Sequence, residues 1–70
     1  MENKKEITAK LGELLKLTRG GYDIESLEYV KEDNGDEFVF MKFDNGYSKR
    51  ICVTADSGIA MIVDITRKLF

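Results

Sequence analysis

Seventy residues with thirteen acidic and eleven basic side chains, no histidine, no proline and one cysteine set narrow bounds on this chain. The length allows one domain, 1–70, a disulfide within the chain is impossible, and the missing histidine removes the commonest general base and nucleophile-activating partner. Catalysis, a metal centre and a cofactor are therefore not expected.

The longest apolar run, Ile59 to Val63, is far too short to cross a membrane. The first residues are charged and the lone thiol suits a reducing compartment, so the expected location is cytoplasmic. Charge is unevenly spread. Residues 21–46 carry eight carboxylates against Lys31 and Lys42, a net of −6, while both ends of the chain are net basic. A domain of this size buries only about 60% of its unfolded surface, so a second subunit is a natural supplement to its thin core.

The first helix is expected over 4–18. Ile7, Leu11, Leu14, Leu15 and Thr18 recur at three- and four-residue intervals and form one stripe, with Gly12 on the outer side. Asn3 and Glu6 make a capping pair, and Gly20-Gly21 ends the helix.

Asn34-Gly35 and Asn45-Gly46 each sit between β-rich runs, the pattern of two-residue hairpin turns. They define three strands near 26–33, 36–43 and 47–54. Two-residue turns fix the register so that Val30 faces Val39, Phe40 faces both Tyr29 and Ile51, and Val39 faces Cys52. One face then collects Leu27, Tyr29, Phe38, Phe40, Ile51 and Val53. The other collects Val30, Val39, Met41, Phe43 and Cys52 among charged neighbours.

The last helix is expected from Ser57 to Leu69, capped by Asp56 or Ser57. Ile59, Ile62, Val63, Thr66 and Phe70 form its inward stripe, and Met61 and Ile65 extend the apolar arc outward. The order helix, three-stranded antiparallel meander, helix gives an α+β fold of two layers, with both helices on one sheet face.

That arrangement leaves the other sheet face uncovered. Val30, Val39, Met41, Phe43, Arg50 and Cys52, with Met61 and Ile65, are the candidate interface for a protein partner or a second copy in a homodimer. Glu28, Glu32, Asp33, Asp36 and Glu37 form a candidate acidic hairpin. Cys52 has no expected base beside it and reads as a small strand residue. The acidic turn lacks the ligand spacing of a calcium loop.

The element order resembles that of the double-stranded-RNA-binding domain across nearly the whole chain, which implies its fold. That family reads phosphates with lysines at the start of its second helix. The matching stretch here, Thr54-Ala55-Asp56-Ser57-Gly58-Ile59-Ala60, holds one aspartate and no lysine, so nucleic acid is not the expected partner. The stretch Asp33-Asn34-Gly35-Asp36-Glu37-Phe38-Val39-Phe40 between helices also resembles small acidic proteins of phages and mobile elements, including anti-CRISPR inhibitors. That resemblance implies an inhibitor of a nucleic-acid enzyme, with the hairpin carboxylates standing in for phosphates. The reading preferred on the residues is a non-catalytic interaction module.

Overall fold

The computed structural model describes residues 3–69. Helix α1 (Lys4–Leu15) leads into strands β1 (Ile24–Lys31), β2 (Glu37–Phe43) and β3 (Ser48–Cys52), and helix α2 (Gly58–Arg67) follows. The strands form an antiparallel sheet in the order β1-β2-β3. Both helices lie on one face of it, so the fold is α+β in two layers.

The helix starts are set by side-chain caps that satisfy otherwise unpaired N–H groups. Asn3 Oδ1 accepts from the Glu6 amide at 3.0 Å, and Ser57 Oγ accepts from the Ala60 amide at 3.1 Å. Helix α1 stops at Leu15, short of the expected residue 18. The chain then turns sharply at Gly21, where an added Cβ would lie 2.4 Å from the Leu15 carbonyl oxygen.

The hairpins differ from the expected two-residue turns. Gly35 N donates to Glu32 O, and Glu32 N donates to Asp36 O, so the loop is Asp33-Asn34-Gly35. The second hairpin repeats this: Gly46 N donates to Phe43 O, Phe43 N donates to Tyr47 O, and the loop is Asp44-Asn45-Gly46. Only the glycines take positive φ, +94° at Gly35 and +87° at Gly46; no other described residue does. A two-residue type I′ turn needs positive φ at the asparagine as well. Neither asparagine takes positive φ, and the Oδ1 of each accepts the amide two residues on, from Asp36 and from Tyr47. The result is a type I turn followed by a left-handed glycine, the common three-residue hairpin.

One extra loop residue moves the pairing by one and turns β2 over. Tyr29 pairs with Val39, Val30 with Phe38, Leu27 with Met41, Val39 with Ile51 and Phe40 with Arg50. Val39, Met41 and Phe43 therefore face the helices. Together with Ile51, Val53, Leu11, Leu15, Ile24, Met61 and Ile65 they form the buried core.

The helices are also rotated from expectation. In α1 the buried residues are Thr8, Leu11, Gly12 and Leu15, while Leu14 is 60% exposed. Gly12 lies against β1 instead of pointing outward, with Leu27 as its nearest neighbour across the layer. In α2, Gly58, Met61 and Ile65 face the sheet, whereas Ile59 is 72% exposed and Val63 is exposed too. Phe70, expected on the inward stripe, lies outside the described residues.

Candidate functional site

The side of the sheet away from the helices carries Ser26, Glu28 and Val30 on β1, Phe38, Phe40 and Lys42 on β2, and Ser48, Arg50 and Cys52 on β3. Register sets them in rows across the sheet: Val30–Phe38–Cys52, then Glu28–Phe40–Arg50, then Ser26–Lys42–Ser48. Val30, Phe38 and Phe40 are half-buried, and Glu28, Lys42, Arg50 and Cys52 are exposed. The two phenylalanines occupy the centre because β2 is the middle strand and its outward positions are 38 and 40. The Arg50 guanidinium lies 4.8 Å from the centroid of the Phe38 ring, a cation–π contact that holds the long side chain against the aromatic surface. Carboxylate on β1 and guanidinium on β3 thus flank an aromatic centre.

Of the residues expected at an interface, Val30, Arg50 and Cys52 lie on this open face. Val39, Met41, Phe43, Met61 and Ile65 do not; they are core residues, Met41 and Met61 being fully buried. The physical reason is the turned-over β2 and the rotated α2. Phe38 and Phe40, placed by a two-residue turn in the core, are the aromatics that the open face presents. The signal for them is the aspartate before each Asn-Gly pair, since Asp-Asn-Gly suits the three-residue loop in both hairpins.

The acidic hairpin is divided by the same alternation. Glu28, Glu32 and Asp33 are exposed. Asp36 accepts from Asn34 Nδ2 at 3.1 Å. Glu37 turns inward, where Oε1 lies 3.1 Å from Lys4 Nζ with both side chains largely covered, and Oε2 accepts from the Tyr29 hydroxyl. Lys4 also donates to the Val53 carbonyl at 3.0 Å. The hydrogen bond from Tyr29, and then the one from Lys4, hold the Glu37 carboxyl below its usual range. Burial, reinforced by Glu37, pushes the Tyr29 phenol up to about 12. This network joins the start of α1 to the sheet; it is structural.

Several concave regions border the helices. An apolar groove of about 280 Å³ runs between them, lined by Ile7, Lys10, Leu11, Leu14 and Ile62. A larger cleft of about 390 Å³ lies between β3 and α2, lined by Arg50, Ile51, Cys52, Asp64, Arg67 and Lys68. Cys52 Sγ is 3.4 Å from Thr54 Oγ1. Among the described residues no group of three or more histidine, cysteine, aspartate or glutamate side chains is placed to hold a metal, and no helix is long and apolar enough to cross a membrane. Comparisons with known protein families, with curated proteins and with solved structures find no match.

Proposed function

We propose that this chain is a non-catalytic protein-interaction module that meets a partner protein through the outward face of its sheet. The observation that carries the reading is the pair Phe38 and Phe40 at the centre of a face that neither helix covers. Aromatic residues at the core of a contact, with charged groups such as Glu28, Lys42 and Arg50 at its rim, match the general anatomy of protein interfaces. Phe40 is the residue on which binding should depend most, since it lies between Glu28 and Arg50 in the middle row and central aromatics dominate interface energetics.

The inhibitor reading retains only Glu28, Glu32 and Asp33 as freely exposed hairpin carboxylates, because Glu37 is paired with Lys4 and the half-buried Asp36 is bonded to Asn34. The open face is therefore the better-supported surface. The test is affinity capture from source cells with the native chain and with Phe38→Glu/Phe40→Glu, after circular dichroism has shown that the variant is folded. Proteins retained by the native chain and lost from the variant support the reading. An identical set of captured proteins overturns it.

A further inference from the structure

The edge of β3 carries a second, distinct feature. In an antiparallel pair, residues alternate between those that bond their neighbour and those whose N–H and C=O point away. Phe43 N donates to Tyr47 O and Val53 N donates to Glu37 O. With the pairing of Met41 to Lys49 and Val39 to Ile51, this phase makes Tyr47, Lys49, Ile51 and Val53 the residues bonded to β2. Ser48, Arg50 and Cys52 accordingly turn their backbone groups outward, and among the described residues no strand pairs with β3 on that side. An unpaired edge of this kind is a template for an added strand.

Beside that edge lies the cleft against α2, whose helix side carries two cations, Arg67 and Lys68, against one carboxylate, Asp64. Lys49 Nζ donates to the Lys68 carbonyl at 2.8 Å and fixes the last turn of α2 beside the strand. The opposite edge differs in charge, since β1 carries Glu25 and Glu28 against Lys31 and is followed by Glu32.

We propose that the β3 edge and this cleft form a docking site for an extended acidic segment of another protein, which binds as a fourth strand. Its main chain pairs with Ser48, Arg50 and Cys52, and alternate side chains enter the cleft beside Arg67 and Lys68. Backbone pairing supplies the geometry of strand addition, and the cationic wall selects for carboxylates. This site goes beyond the aromatic face, and the two can fail separately because Arg67 and Lys68 are not part of that face.

The test uses the intact chain and a capped heptapeptide alternating aspartate with valine, followed by amide NMR and hydrogen exchange at low salt. Binding is expected to slow exchange at Ser48, Arg50 and Cys52 by about tenfold or more, while Lys49 and Ile51, already bonded to β2, change little. A lysine–valine counterpart, and an aspartate–valine peptide N-methylated at alternate residues, should each bind at least about tenfold more weakly. Arg67→Glu/Lys68→Glu should weaken the acidic peptide by a similar factor while keeping the native fold. Absence of binding at millimolar peptide, equal binding of the lysine or N-methylated peptides, or protection elsewhere in the sheet would overturn the proposal.

Discussion

Glu37 belongs to the most acidic stretch of the chain, yet its charge is committed inward to Tyr29 and Lys4. Its carboxyl titrates below the usual value of 4.5, so the folded state binds that proton less tightly than the unfolded chain. The stability it contributes is complete above pH 4.5 and is lost as pH falls through its lowered value. Glu37→Gln should therefore flatten the acid limb of a pH–stability curve measured by thermal unfolding. Lys4→Met leaves the part-buried carboxylate without its cation but with its Tyr29 hydrogen bond, and should cost about 1–2 kcal/mol. Asp56 behaves oppositely. When ionised, its buried Oδ2 has no hydrogen-bond donor among the described residues, whereas the protonated carboxyl can hydrogen-bond Asp64, which two ionised carboxylates cannot do. That bond, and then burial, raise its pKa above the usual 3.8. The stability linked to this group is present below pH 3.8 and is lost as pH rises through the raised value. Asp56→Asn should accordingly raise the melting temperature at pH 7, with the gain vanishing in acid.

At the scale of elements, capping residues and the positions of the hairpins are legible in the sequence, while the faces of the elements are not. Asn3 caps through a side chain whose preference is strongly local, and so does Ser57. Asn-Gly marks a turn at either loop length, however, and a single loop residue decides which side of β2 is buried. In α2, six of the seven positions from Ile59 to Ile65 are apolar, so periodicity defines no one stripe; tertiary packing chooses Met61 and Ile65. Gly12 shows the same limit, because the sequence alone does not reveal that β1 passes beneath it. A Cβ there would meet Leu27 Cβ at 3.4 Å, an ordinary contact. Gly12→Ala should thus raise stability by about 0.5–1 kcal/mol through helix propensity, and Gly12→Leu should lower it by forcing α1 from the sheet. Urea unfolding of the two variants checks both signs.

The whole molecule is a thin two-layer structure in which one sheet face makes the core and the other meets solvent. That division explains why a chain with so small a core tolerates two phenylalanines outside it: their place follows from strand register, and their substitution leaves the core intact. Phe40 and Met41 are neighbours on β2 with opposite fates, one at the centre of the open face and one fully buried. The most direct measurement is the thermal unfolding of Phe40→Glu and Met41→Asp side by side. A folded Phe40→Glu with a midpoint within a few degrees of the native chain, and a Met41→Asp that does not fold, are the results expected from this register. A stable Met41→Asp beside an unfolded Phe40→Glu would show that β2 presents its other side, and the interaction surface would have to be moved with it.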